Sequence, residues 1–141
     1  MGLTAWLGYA AALAGACALS NYVVKQVARE YVKKVQGRRP LFASAYRGFM
    51  RKVVRTHPVI GFACVALLSV HAGLAVTSGT ISVTGMFAGV TTLATASLGA
   101  YGLYRVRRPA GAWIHFHRGS ALVLAAAVAA HVSNKVHLFL S

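Results

Sequence analysis

Four histidines carry the chemistry available to this chain. His57 and His71 are fourteen residues apart, and so are His117 and His131. Each pair lies in an apolar stretch long enough to cross a bilayer. A helix turns about 100° and rises about 1.5 Å per residue, so fourteen residues put both members of a pair within about 40° of one face and about 21 Å apart along the axis. Two such helices can face each other with one imidazole pair near each membrane surface. Facing imidazoles suit haem, because one axial nitrogen from each helix completes six-coordinate iron in the dry interior of a bundle. A zinc or copper site would need its ligands close together, whereas the two histidines of one helix are about 21 Å apart. A lone histidine in a span also serves as an interhelical hydrogen-bonding group; the matched repetition sets these four apart. His115 projects about 160° away from His131, and His137 about 120° away, so neither is in register.

Several neighbours could support such centres. Gly61, one turn after His57, and Gly73, two residues after His71, would let a flat macrocycle approach the backbone. Gly85 and Gly89 form a G-x-x-x-G that reads as a helix-packing notch. Arg55 and Arg118 adjoin the histidines nearer the basic segments and are candidate contacts for haem propionates; equally, they mark topology. Lys135 is the only cation near the other pair. Cys17 and Cys64 sit inside apolar runs with no Cys-x-x-Cys-His for covalent haem attachment and no iron–sulfur spacing, which makes them packing residues. Glu30 is the only acid in the sequence. Paired-carboxylate catalysis, carboxylate metal cages and a buried acid relay for protons are thereby excluded.

The elements that must position these residues are membrane spans. Residues of hydrophobic type make up 57% of the 141-residue chain, and the mean hydropathy of +0.61 is not that of a soluble domain. A span needs about 20 apolar residues. The apolar runs give four helices, at about 3–24, 57–77, 82–104 and 113–135, with the long middle run broken at Thr77-Ser78-Gly79-Thr80. The fold class expected is all-α, an integral membrane four-helix bundle forming a single domain over residues 1–141.

Charge orients the bundle. Lys25, Arg29, Lys33, Lys34, Arg38, Arg39, Arg47, Arg51, Lys52 and Arg55 lie between the first two spans, and Arg105, Arg107, Arg108 and Arg118 at the junction of the last two. That is fourteen of the fifteen basic residues, Lys135 being the exception. The positive-inside rule puts both basic segments in the cytoplasm and both termini outside. The second and fourth spans are then parallel, so that His57 faces His117 and His71 faces His131. The first span lacks the basic n-region of a signal peptide, and the charges that follow it favour a retained anchor. Ala14-Gly15-Ala16-Cys17 is a poor lipoprotein site on the same ground.

Between the first two spans, Val24, Val27, Ala28, Tyr31 and Val35 recur at helical spacing beside a Lys25, Arg29, Lys33 stripe. Two readings fit: an amphipathic helix on anionic headgroups, or a docking surface for an acidic redox partner. Gly37-Arg38-Arg39-Pro40 ends this helix, and Leu41 to Arg55 is a second basic segment leading into the next span. The net charge of +14 is explained by topology; without a recognition module it does not point to nucleic acid.

Arg55-Thr56-His57-Pro58-Val59-Ile60-Gly61, the stretch ending Leu67-Leu68-Ser69-Val70-His71, and His117-Arg118-Gly119 with His131 together resemble the di-haem core of membrane b-type cytochromes. The nearest likenesses are the ferric-reductase-like transmembrane domain and the bacterial cytochrome b561-like proteins, over about residues 55–135. The resemblance implies two haem b groups, held by His57/His117 and His71/His131, and transmembrane electron transfer. Only four spans are present, with no flavin or nicotinamide domain and no G-x-G-x-x-G. The chain is therefore expected to act as an electron-transfer subunit of an oxidoreductase complex, with the lipid bilayer and other redox subunits as partners, in the bacterial cytoplasmic (inner) membrane. Two alternatives stand beside it. One is a quinone-reactive cytochrome b subunit, with Ser133, Asn134, Lys135 and His137 near the outer centre; the other is a haem-free anchor for a soluble enzyme.

Overall fold

The computed structural model describes the backbone of residues 2–106 and 111–140, and side chains as far as residue 135. The described residues form four helices: α1 (Leu3–Val35), α2 (Pro40–Thr77), α3 (Val83–Tyr104) and α4 (Ala112–Leu140). Arg107, Arg108 and Ser141 lie outside the described residues, as does the side chain of His137.

Local chemistry sets the helix ends. Pro40 opens α2 at a position where its missing N–H costs no hydrogen bond. At the far end Gly79 takes φ +66°, and the Thr80 and Gly79 amides donate to the Ala75 and Val76 carbonyls at 2.9 and 3.2 Å. This is a Schellman closure, which favours glycine because it needs a left-handed residue. Three residues on, the Ser82 hydroxyl caps α3 by accepting from the Gly85 amide at 3.2 Å.

Helices α1, α2 and α3 are each long and apolar enough to cross a membrane. Their packing is that of a lipid-facing protein. The buried side chains are small, chiefly Ala11, Ala43, Ala88, Thr92 and Ala127, while Trp6, Leu13, Val59, Val90, Phe116 and Leu122 face outward. Lipid tails are as apolar as leucine, so helices in a bilayer gain by close packing of small residues rather than by hiding large ones. Helix α1 lies along α2 and α3 along α4, with lighter contact between α2 and α3 and between α1 and α4.

The helices do not end where the hydropathy does. The first apolar run stops at Val24, yet α1 continues to Val35, through a π-helical segment at Ala28–Val32. Likewise α2 starts at Pro40, well before the apolar run at His57. Residues 22–35 are thus not a separate amphipathic helix, and residues 41–55 are not a loose lead-in. Neither proline nor glycine interrupts the chain from Val24 to Gln36, so polarity marks a solvent boundary there and not a helix end. The two extensions pack on each other: Tyr46 Oη donates to the Val24 carbonyl at 3.0 Å and Arg47 Nη1 to Gln36 Oε1 at 3.0 Å. Pro58 sits inside α2 and leaves the Val54 carbonyl without its usual helical donor.

Candidate metal centres

Helix α2 carries His57 and His71, and α4 carries His117 and His131. The rings meet in depth-matched pairs. His57 and His117 have centroids 6.2 Å apart with planes at 80°, and His71 and His131 have centroids 6.4 Å apart with planes at 73°. Among the described residues no Cα of α2 comes within 8 Å of a Cα of α4. The two helices stand apart, and the imidazoles reach across the gap.

Each ring is held from behind. His57 Nδ1–H donates to the Ala18 carbonyl at 3.1 Å and His71 Nδ1–H to the Thr4 carbonyl at 2.8 Å, both on α1. His117 Nδ1–H donates to the Thr95 carbonyl on α3 at 3.1 Å. His131 Nδ1 instead meets the hydroxyls of Thr84 and Ser82, at 3.2 and 3.4 Å. A carbonyl can only accept, so three of the four rings carry a proton on Nδ1; in the neutral ring this leaves the lone pair on Nε2, the tautomer of a metal-ligating histidine with its outer partner in place.

Glycines on the supporting helices make room for the rings. A Cβ at Gly8 would come within 3.0 Å of His71, one at Gly85 within 3.1 Å of His131, and one at Gly99 within 3.2 Å of His117. Gly8, Ala11 and Ala18 on α1 each have a counterpart 77 residues on, Gly85, Ala88 and Thr95 on α3. In both hairpins the glycine faces a histidine ring, that of His71 or His131, the alanine is buried, and the last residue's carbonyl accepts from His57 or His117. The α1–α2 and α3–α4 hairpins repeat one design with little sequence identity.

The ring spacing has a direct chemical meaning. An imidazole nitrogen binds a first-row metal at about 2 Å and lies about 1.1 Å from its own ring centre, so two imidazoles trans on one ion have centroids about 6.2 Å apart. Among the described residues there is no cluster of three or more His, Cys, Asp or Glu side chains. Two facing imidazoles could supply at most two ligands to one ion, so a metal held there would have to bring its remaining ligands with it, as porphyrin-bound iron does.

The other residues singled out in the sequence fall as follows. His115 is exposed, and the ring opposite His57 is that of His117. A Cβ at Gly61 or Gly73 would meet no heavy atom within 4 Å, so neither glycine is needed to seat another part of the protein; the same is true of Gly89. Gly85 makes room for an imidazole rather than for a neighbouring backbone. Arg55 is exposed, whereas Arg118 is half-buried. Arg118 has a companion that the sequence reading missed: half-buried Lys25 lies close enough to feel the charge of Arg118, and its own charge reaches His57. Cys64 Sγ donates to the Ala11 carbonyl at 3.4 Å, a packing role, and Cys17 is exposed. Ser133, Asn134 and Lys135 are exposed.

Trp113 lies beside the His57/His117 pair. Its ring lies 6.2 Å from that of His117, tilted by 40°, and it rests on Gly102, where any side chain would collide with the indole. Its Nε1 is buried and has no hydrogen-bond partner. Compared with protein-family models, curated proteins and solved structures, the chain matches none.

Proposed function

We propose that this chain is a di-haem b-type cytochrome that relays electrons between the two faces of a membrane, as one subunit of a larger redox complex. The observation that supports this best is the double coincidence of ring spacing: centroids at 6.2 and 6.4 Å, each near the value for two imidazoles trans on one ion. His57 and His117 would hold the inner haem iron, and His71 and His131 the outer one. Bound there, the haems supply reversible one-electron chemistry at two depths about 21 Å apart along the helices.

The chain's own residues do the rest. The Ala18, Thr4 and Thr95 carbonyls fix the tautomer of their histidines and make them more basic ligands. Small residues on α1 and α3 bring the supporting helices close enough to make those bonds, while the outward leucines and valines exclude water. Arg118 and Lys25 are cations that the single acid of the sequence does not neutralise in pairs, and together they suit the propionates of the inner haem. The buried Trp113 Nε1 is a further donor available to a carboxylate. Charge asymmetry orients the molecule with the α1–α2 turn and the α3–α4 junction in the cytoplasm and both termini outside. This matches the resemblance to ferric-reductase-like and cytochrome b561-like cores.

The test is an optical spectrum and a pyridine haemochrome assay on the purified protein. The expected result is reducible, low-spin b-type α-bands and about two haems per chain, as two bis-histidine sites require. A preparation that is folded, monodisperse and colourless after expression with ample haem would favour the membrane-anchor reading instead.

A further inference from the structure

Beyond Lys25 on α1 and before Arg55 on α2, the paired extension of these helices is not used by the haem sites proposed above. From His57 back to Pro40, α2 rises about 25 Å. The hydrocarbon layer is about 30 Å thick and the histidine pairs span about 21 Å of it, so the tip of this hairpin stands about 20 Å past the hydrocarbon. Headgroups add only about 5–8 Å on each side. The tip therefore projects into water.

This projection is rigid and well packed. Ala43 is 0% exposed and Val32 3%, the most buried of the core side chains. Yet its surface is adhesive. Tyr31, Phe42, Tyr46 and Phe49 form a row with successive ring centroids 6.5, 6.1 and 6.2 Å apart. Tyr31, Phe42 and Phe49 are 52, 44 and 53% exposed, and Leu41 at the tip is 86% exposed. Around them, from Lys25 to Arg55, lie ten cations and a single acid, Glu30. Aromatic anchors inside a charged rim are the anatomy of a docking surface, and exposed aromatic rings in one contiguous row mark such a site. The positive-inside rule accounts for cations flanking the spans but not for Leu41, Phe42 and the Tyr31 ring beside it, which by the same rise stand about 18 Å past the hydrocarbon and so above the headgroups, whereas Phe49 lies at their level.

We propose that this aromatic row is the docking surface for an acidic, soluble redox protein that exchanges electrons with the inner centre. The redox character of the partner rests on the di-haem reading. Its acidity rests on charge alone, since a field of one sign steers and selects a partner of the other.

The test is photo-crosslinking in the source cells, with p-benzoylphenylalanine in place of Phe42 and the adduct identified by mass spectrometry. One dominant adduct is expected, to a protein that is acidic and carries a flavin or an iron–sulfur cluster. The adduct should fall about tenfold or more in the Arg38→Glu, Arg39→Glu, Arg47→Glu triple variant, whose dithionite-reduced spectrum should match the parent's. An adduct to phospholipid, to a second copy of this chain, or to a protein lacking acidity or a redox group overturns the proposal. So does no adduct, or one indifferent to charge reversal. A colourless protein would count against the di-haem reading by a separate measurement.

Discussion

The inner and outer histidine pairs share a geometry and differ in what stands behind it. At the inner pair both Nδ1 atoms donate to carbonyls, and Lys25, Arg118 and Trp113 gather nearby. At the outer pair only His71 has a carbonyl; His131 faces two hydroxyls, and Lys135, the only lysine or arginine at that end among the described residues, is exposed. A hydroxyl can accept from Nδ1–H, but it can also donate to a bare Nδ1 and leave the proton on Nε2, where it blocks a metal. On the proposed di-haem reading, backbone chemistry prepares both rings of the inner pair for ligation and only one ring of the outer pair, and the expected outcome is an inner haem held more tightly than the outer one.

The sharpest way to break this comparison is to remove the ligands. His57→Ala or His117→Ala should abolish the inner haem and leave the outer, and His71→Ala or His131→Ala should do the reverse. Each single variant should retain about one haem per chain, because each bis-histidine site draws one ligand from each helix. His115→Ala should retain both. If His57→Ala and His71→Ala removed the same spectral component, the pairing by depth would be wrong.

Next in size come the glycines behind the rings. Gly8→Val would drive a side chain into His71, where even a Cβ lies at 3.0 Å, and Gly99→Val would do the same to His117 at 3.2 Å. The first should release the outer haem and the second the inner, each with a loss of affinity of about 10- to 100-fold, the size seen when outer partners of metal ligands are disturbed. Gly48→Val, at a position with nothing within 4 Å, is the control and should leave both haems in place. Equal loss of both haems in Gly8→Val would point to general unfolding rather than to a displaced ring.

These glycines also show what a sequence can and cannot reveal. The histidine register was legible because a period of fourteen on an apolar helix is a one-dimensional pattern. The break at Ser78-Gly79 was legible because it depends on residue type. The supports of the rings were not. Three acceptors are backbone carbonyls, which any residue supplies, so Thr4, Ala18 and Thr95 have no signature. Gly61 and Gly73 drew attention because they lie beside histidines in the chain, whereas Gly8, Gly85 and Gly99 lie beside them in space, on neighbouring helices. The doubling of the hairpin was hidden for a related reason. Its three corresponding positions need only small side chains, and alanine at position 18 answers to threonine at position 95. The length of the α1–α2 extension was missed because charge was read as a helix boundary.

A smaller effect tests the cations. Lys25→Gln with Arg118→Gln should weaken binding of protohaem at the inner centre by about tenfold, in keeping with the loss of charge-assisted bonds to carboxylates. It should leave binding of the dimethyl ester, which has no carboxylates, unchanged. The outer centre should not respond to either substitution. A variant that binds the free acid and the ester with the same losses would assign these two side chains to helix packing alone.

The smallest expected effect bears most directly on the contrast between the pairs. Thr84→Val keeps the side-chain shape and removes the nearer of the two acceptors that face His131, leaving Ser82 at 3.4 Å. A neutral hydrogen bond contributes about 1 kcal/mol, so the outer haem should leave up to about fivefold faster, read as transfer to apomyoglobin. Ser82→Ala should act on the same haem, but it also removes the cap of α3, worth about 1 kcal/mol of helix stability, so its melting temperature should fall as well. In the double variant Nδ1 of His131 has no protein acceptor, and release should exceed the sum of the single effects because a buried donor without a partner costs more than one bond is worth. The inner haem should keep its parental rate throughout. No substitution can remove the carbonyl behind His57 or His117, so if Thr84→Val speeded release from both centres equally, the hydroxyls would not be what separates the outer pair from the inner.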